Sequence, residues 1–362
     1  MEDKKKKEID ELWADLKPEI DAAIEKYIPP KVSKGWLEFV FGKANYRFSE
    51  KAAQKSLIDP IRDFLGRGGK RWRPILFLLL VESAGGDVEK VKELAVIPEL
   101  VHNGTLIIDD IEDEAVLRRG KPALHRIFGV DMAVNAGNFI YFLPLLAFRE
   151  NKDNFKPEVL TKAYEVYIQE MINLSLGQGT DIYWHKGKAD HITEDEYFQM
   201  CSFKTGCLTR MAAKMAVILA GGKDELTEKV GRLAEVMGIA FQIQDDILDI
   251  SLSGTEREKF GKTFGNDIKE GKRTLMVIDT LKKAESQDRK RLIEILNKNN
   301  QDLKEIKEAI TIINKYQSID YAQRVARRIV GQAWQEADKL LPPTPAKQKL
   351  KVFINYLIER KT

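Results

Sequence analysis

The stretch Leu106-Ile-Ile-Asp-Asp-Ile-Glu-Asp113 runs an apolar lead straight into a cluster in which five of the six residues from Asp109 to Glu114 are acidic. On a helix, Asp109 and Asp113 project from one face, one turn apart. Like charges so placed repel by roughly a few tenths of a kcal/mol per exposed pair. Two arrangements accommodate that cost. Either the face is solvated, or a multivalent cation sits between the carboxylates. A hard cation such as Mg²⁺ takes oxygen ligands and is usually held by one or two carboxylates together with substrate phosphates.

A second copy favours the cation. Phe241-Gln-Ile-Gln-Asp-Asp-Ile-Leu-Asp249 repeats the spacing, with Asp245 and Asp249 four apart and Asp246 following Asp245. Phe241, Ile243, Ile247, Leu248 and Ile250 surround these carboxylates, so they leave a largely apolar helix and need partners or metal. Two matching Asp-Asp-x-x-Asp helices, far apart in the chain, suggest two walls of one Mg²⁺–diphosphate site.

The chain has 362 residues, of which 43% are hydrophobic, and a formal net charge of +3. That length supports one large helical domain or two smaller ones. Near-neutral, interspersed charge argues against a nucleic-acid binder, so any functional cations act locally. Cys201 and Cys207 lack metal-ligand spacing and read as reduced, buried thiols of a cytosolic protein. His102, His125, His185 and His191 form no zinc signature. No apolar h-region follows the charged N-terminus, so no signal peptide is expected. The longest apolar runs, near Ile75–Val81 and Phe139–Phe148, fall short of the ~18–20 residues of a membrane span and read as buried core helices of a soluble, cytoplasmic protein.

Helical periodicity dominates, and no convincing alternating strand appears. A charged amphipathic helix covers about residues 4–27. An aromatic-rich segment with Trp36, Phe39, Phe41, Tyr46 and Phe48 follows. Gly66-Arg-Gly-Gly-Lys-Arg-Trp-Arg-Pro74 is a glycine-rich turn with four cations, and Pro74 suits the first turn of the next helix. It is either an anion cradle or an ordinary loop with solvated cations. A helix from near Asp87 leads into the first acidic motif, with a kink expected at Pro98. His102 precedes Asp109 by about two turns. Arg118-Arg119-Gly120 lies just beyond the acidic cluster, as a salt-bridge network or as anion clamps. Gly206, in Lys204-Thr205-Gly206, interrupts a helix and could free a backbone carbonyl. Lys262 and Lys272 lie in basic, glycine-containing loops after the second motif. No linker demands a second domain.

Together these residues resemble the trans-isoprenyl diphosphate synthases, or polyprenyl synthases. The resemblance rests on Gly68-Gly-Lys-Arg-Trp-Arg-Pro74, on Leu106 through His125, on Gly177-Gln178 with Asp181, on Lys204-Thr205, on Phe241-Gln242, on Asp245–Asp249, and on Lys262 and Lys272. It covers about residues 50–300. Residues 1–50 read as a helical N-terminal extension and residues 51–362 as the synthase domain. The resemblance implies an all-α fold, a single large helical domain around a deep central cavity, commonly a homodimer. It implies head-to-tail condensation of isopentenyl diphosphate with an allylic diphosphate, with three Mg²⁺ per active site.

By that resemblance, Asp109, Asp113 and Asp245 are the direct metal ligands, and Asp110, Asp246 and Asp249 ligands or supporting groups. Arg118, Lys204, Lys262 and Lys272 contact the allylic diphosphate. Lys70, Arg73, His102 and Arg119 hold isopentenyl diphosphate without metal. Thr205, Gln242 and the Lys204 carbonyl offer oxygen dipoles to an allylic cation. Gly104 and Thr105, small residues just before Asp109, should admit a product longer than C15. Phe139, Tyr141 and Phe142 resemble the tunnel floor of eukaryote-type geranylgeranyl diphosphate synthases, which points to a C20 product. Farnesyl or longer-chain synthesis, a class I terpene cyclase and a non-catalytic subunit remain as alternatives. Membrane association, if any, would be loose and through the lipid product.

Overall fold

The computed structural model describes residues 2–69, 71–188, 191–251, 264–298 and 302–359. It is all-α apart from one two-stranded hairpin. The main helices are Glu2–Tyr27, Trp72–Ser83, Val96–Glu112, Val130–Phe142, Pro157–Tyr183, Asp224–Ser251 and Ser318–Leu340. By its internal contacts the chain divides into two compact units. One comprises Met1–Tyr164, Met215–Lys223 and Pro342–Val352. The other comprises Glu165–Lys214, Asp224–Leu341 and Phe353–Thr362.

In the first unit the expected boundary at residue 50 is absent from the packing. Ile20, Ile24, Tyr27, Ile28, Val32, Trp36 and Leu37 are buried, and the helix Glu2–Tyr27 packs on Trp72–Ser83 and Val96–Glu112. Phe41, in the helix Lys34–Phe41, stacks on Phe139 with ring centroids 5.9 Å apart. Residues between Ile20 and Leu37 thus contribute to this unit's core. Periodicity alone could not show this, because the partners lie far along the chain.

The first acidic helix, Val96–Glu112, starts later than expected. A short helix, Val88–Val91, and a 3₁₀ turn, Lys92–Ala95, precede it. Pro98 therefore falls in the first turn, where its missing N–H would have no intrahelical partner anyway, and it starts the helix instead of kinking it. Strands Leu117–Arg118 and Lys121–Pro122 pair antiparallel across Arg119 (φ 53°) and Gly120 (φ 74°). Two central residues with positive φ match the twist of a tight hairpin. With two residues per strand, no alternation could have announced it.

Val96–Glu112 crosses Val130–Phe142 at close quarters. A Cβ at Gly104 would lie 3.0 Å from Ile140 and 3.0 Å from Tyr141, and one at Gly137 would lie 2.8 Å from Ile108. The small size of Gly104 thus serves this crossing. Ala133, Ala136, Gly137 and Ile140 are the buried face of the second helix. Val130, Val134 and Phe142 are exposed, Phe142 to 69%, so Phe142 lies on the face away from the crossing rather than beside Tyr141 in it.

Val130–Glu150 is long and apolar enough to cross a membrane by length and composition, with a mean hydropathy of 1.3 and 39% of its best window buried. The uninterrupted apolar runs missed it because Asn135 and Asn138 break them. It is not one regular helix, since Leu143–Leu145, with Pro144, form a 3₁₀ turn within it.

In the second unit, Asp224–Ser251 lies along Ser318–Leu340 and also meets the π-helical turn Ser202–Gly206. A Cβ at Gly238 would fall 2.8 Å from the Gly206 Cα, so two glycines set that approach. Replacing Gly104 with Val should lower stability by about 1–3 kcal/mol through overpacking. The urea midpoint should fall without a change in slope; an unchanged midpoint would mean that the crossing tolerates a side chain.

Candidate active site

Each acidic motif divides its carboxylates into two sets. In the first, Asp109 and Asp113 are half-buried and share one helical face, whereas Asp110 is fully buried. Asp113 closes the helix, its N–H donating to the Asp109 carbonyl at 2.9 Å, so the one-turn spacing is kept. Asp110 Oδ1 accepts from Arg118 Nε at 2.7 Å, while its Oδ2 has no hydrogen bond among the described residues. Burial raises the pKa of Asp110, against the pull of Arg118. Arg118 also reaches Asp109 Oδ2 at 3.4 Å. Burial works to lower the pKa of this guanidinium, but Asp110, Asp109 and Asp113 hold it above the ordinary arginine value. Asp110 is therefore the anchor of Arg118, not an outward ligand.

In the second motif Asp245 is half-buried, and Asp246 and Asp249 are buried. Asp246 Oδ1 accepts from Gln242 Nε2 at 2.8 Å and its Oδ2 accepts from Tyr197 Oη at 3.2 Å. Asp249 Oδ2 accepts from the backbone N–H of Asp267 at 3.1 Å, tying down the loop that carries Lys272. Among the described residues no three His, Cys, Asp or Glu side chains form a ready-made metal cage. A cation completed by substrate phosphates needs none. Asp109 and Asp113 in the first unit, and Asp245 in the second, are half-buried hard oxygen donors, the donor type that Mg²⁺ takes.

The cationic turn lies in the first unit. Gly68 (φ 94°) and Gly69 (φ 133°) use conformations that L-residues avoid. The Arg73 guanidinium lies over the Trp72 ring, 4.3 Å from its centroid, and Arg119 lies over Phe64 at 5.3 Å. Arg119 Nη1 donates to the Gly68 carbonyl at 2.7 Å. Burial is the main reason that the Arg119 pKa is pushed down to about 10, with Arg71, Arg118 and Arg67 adding to it and Glu99 opposing. His102 is in the same electrostatic neighbourhood, under the influence of Arg73, Arg119, Arg118 and Arg71. Thr105 Oγ1 donates to the His102 carbonyl at 2.7 Å. Lys70 lies outside the described residues, as does Lys262.

In the second unit a cleft of about 380 Å³ is lined by Asp181, Lys204, Thr205, Gln242, Asp246 and Lys272, among others. The helix Pro157–Tyr183 touches the backbone of the Ser202–Gly206 turn through Gly177, where a Cβ would fall 2.3 Å from Lys204 N. One turn beyond Gly177, Asp181 accepts from Lys204 Nζ at 2.6 Å. Burial would raise the Asp181 pKa, yet Lys204 and Lys272 hold it below the usual carboxylate range. The glycine and the aspartate of Gly177-Gln-Gly-Thr-Asp181 thus do separate jobs, close approach and cation anchoring. Thr205 Oγ1 donates to Gln242 Oε1 at 3.1 Å, so Gln242 is held at both ends. Lys272 pairs with Glu270 at 2.6 Å. Instead of a break, Gly206 sits in a π-helical turn, the wider local winding that loosens carbonyl pairing.

Sequence reasoning missed Glu99, Asn103, Arg71 and Tyr197, which touch the candidate groups from behind. A lone buried acid such as Glu99, 3% exposed in an apolar helix, was the available signal, since such a charge requires a partner.

A family model described as polyprenyl synthetase matches residues 54–313. A short chain isoprenyl diphosphate synthase of Methanothermobacter thermautotrophicus is 35% identical over 306 residues, covering 84% of this chain and 91% of that protein. A geranylgeranyl diphosphate synthase of Saccharolobus solfataricus is 31% identical, covering 89% of this chain and 96% of that one. The crystal structure of geranylgeranyl pyrophosphate synthetase from Pyrococcus horikoshii superimposes with a TM-score of 0.83 at 32% identity, covering 97% of this chain and 99% of that chain. With matching motifs, an all-α fold and relatives of near-equal length, this chain belongs to the polyprenyl synthetase family.

Proposed function

We propose that the protein is a trans-prenyltransferase that condenses isopentenyl diphosphate head-to-tail with an allylic diphosphate, and that its product is geranylgeranyl diphosphate. The observation that carries this reading is the division of the acidic motifs. Asp109, Asp113 and Asp245 are only half-buried while Asp110, Asp246 and Asp249 turn inward to fix Arg118, Gln242 and the Lys272 loop. Mg²⁺, three ions per site, would be held by Asp109, Asp113 and Asp245 and would draw charge from the departing diphosphate. Arg118, Lys204, Lys262 and Lys272 meet the same diphosphate directly.

The allylic C–O bond breaks, and diphosphate leaves with the electron pair. Thr205, Gln242 and the Lys204 carbonyl present oxygen dipoles to the allylic cation. Gln242 is oriented for this, since Asp246 claims its NH₂ end. The double bond of isopentenyl diphosphate attacks the cation, and the released diphosphate takes the proton that is lost. Arg73, Arg119 and Lys70 bind isopentenyl diphosphate without metal. Burial first, and then Arg73, Arg119 and Arg118, hold the His102 pKa well below its ordinary value, so it serves as a neutral hydrogen-bond donor.

Packing against Gly104 supports Tyr141, rather than Phe142, as the residue that limits product length. A homodimer with a cytoplasmic location completes the reading. The homodimer is supported by the exposed apolar stripe Ile168, Ile172, Leu176 on one helix and by exposed Val130, Val134 and Phe142 on another.

Incubation with labelled isopentenyl diphosphate, Mg²⁺ and dimethylallyl, geranyl or farnesyl diphosphate should give a C20 product; products stopping at C15 would overturn the chain-length assignment. Tyr141→Ala should shift the spectrum beyond C20, and an unaltered spectrum would remove Tyr141 from that role. Asp245→Asn should cut kcat by at least ~100-fold, and EDTA should abolish turnover until Mg²⁺ is restored; full activity in metal-free buffer would contradict the metal assignment. The His102 pKa is lower folded than its ~6.5 when unfolded. Below about pH 6.5 the unfolded chain therefore takes a proton that the folded one refuses, and stability falls as pH falls. His102→Gln should shrink the loss of Tm between about pH 7.5 and about pH 5.5, and equal losses in both proteins would refute the depressed pKa.

A further inference from the structure

We propose that Asp21, on the N-terminal helix, is a positioning residue for isopentenyl diphosphate binding, acting through Arg71 on the Gly68–Arg73 turn and on Arg119. The proposal rests on reading Arg73 and Arg119 as the isopentenyl diphosphate half-site.

The turn places unusual demands on its backbone. Arg71 has φ 49°, a left-handed conformation in a residue with a side chain, two positions after Gly69, the second of two glycines of positive φ. Such conformations persist only where surroundings over-determine them. Here the side chain supplies the determination. Arg71 Nε donates to Asp21 Oδ1 at 3.1 Å, Nη1 to Glu99 Oε1 at 2.8 Å and Nη2 to the Leu65 carbonyl at 3.1 Å. Each guanidinium nitrogen thus has a partner, and the planar fork fixes all three directions at once. Arg71 is 6% exposed, which places it behind the turn and away from solvent.

The network then returns to the site. Asn103 Nδ2 donates to Glu99 Oε1 at 2.9 Å, and Arg119 Nη1 donates to Asn103 Oδ1 at 3.4 Å and to the Gly68 carbonyl at 2.7 Å. Gly69 passes between the two arginines. A Cβ there would stand 3.3 Å from Arg71 Nη1 and 3.4 Å from Arg119 Nη2. Asp21, Arg71, Glu99, Asn103, Arg119 and Gly68 therefore form one connected chain of contacts that holds the turn. Of these six residues, Asp21 alone lies outside the family segment 54–313. Lys17 pairs with the other Asp21 oxygen from the solvent side. With hydrogen bonds from Lys17 and Arg71 outweighing burial, the Asp21 pKa is lowered and the carboxylate is charged at neutral pH.

Asp21→Ala should raise KM for isopentenyl diphosphate about tenfold, the scale of one charge-assisted hydrogen bond. KM for the allylic diphosphate and kcat should stay within about twofold. Asp21→Asn, which keeps an acceptor oxygen, should lie between. Arg71→Lys, which cannot bond Asp21 and Glu99 in the same fork geometry, should give the same selective rise, and adding Asp21→Ala to it should add nothing further. Equal rises in both KM values, or a fall in kcat alone, would reduce Asp21 to a structural anchor and overturn the proposal. Arg73→Ala separates the two readings. If it leaves KM for isopentenyl diphosphate unchanged, the half-site assignment fails. If it raises that KM while Asp21→Ala and Arg71→Lys do not, the positioning role alone fails.

Discussion

A charged side chain at the edge of a site keeps its place only if something buried holds it from behind, and the Asp110–Arg118 pair is the clearest instance. Asp110 is fully buried, and Arg118 is drawn against it and toward Asp109. Removing one member of such a pair leaves an uncompensated buried charge, at roughly 3–5 kcal/mol, whereas an exposed ion pair contributes about 0–1 kcal/mol. The same device recurs. Asp181 holds Lys204, Asp246 holds Gln242, and Glu99 holds Arg71. Side chains held in this way are set before any ligand arrives, which is the condition under which fixed charges stabilise developing charge most effectively.

The anchors require helices that approach closely, and glycines set those distances. Gly104 and Gly137 let the first acidic helix meet Val130–Phe142, Gly177 presses its helix onto the Lys204 backbone, and Gly238 meets Gly206. A methyl group at any of these points would meet its neighbours at or inside the limit of ordinary contact. The chemistry and the packing are therefore written in the same short segments: Gly104 lies five residues before Asp109, and Gly177 four before Asp181.

Much of this was legible in the sequence. Four-residue spacing placed Asp109 and Asp113 on one face without any knowledge of the fold, and the repeated motif pointed to shared chemistry. The same periodicity turns Asp110 and Asp246 about 100° away from their neighbours and into the core, a consequence that counting acidic residues as one cluster overlooks. Other features depended on contacts distant in sequence. Glu99 and Asn103 look like isolated polar residues until Arg71 and Arg119 meet them. Residues 1–50 look like an appendage until Asp21 and Phe41 find their partners. Gly104 reads in the sequence as room for a product, and its neighbours Ile140 and Tyr141 show that its small size also serves a helix crossing. Pro98 looked like a kink because only the hydrogen-bond pattern shows where a helix begins.

The proposed function gives the two diphosphates different partners: carboxylates through metal for one, and cations directly for the other. Calorimetric titration of the protein with geranyl diphosphate alone and with isopentenyl diphosphate alone, each with Mg²⁺ and with EDTA, tests that division most directly. The account predicts that geranyl diphosphate binds tightly only with Mg²⁺, while isopentenyl diphosphate binds equally well in both buffers. Equal loss of both ligands in EDTA, or retention of both, would contradict it.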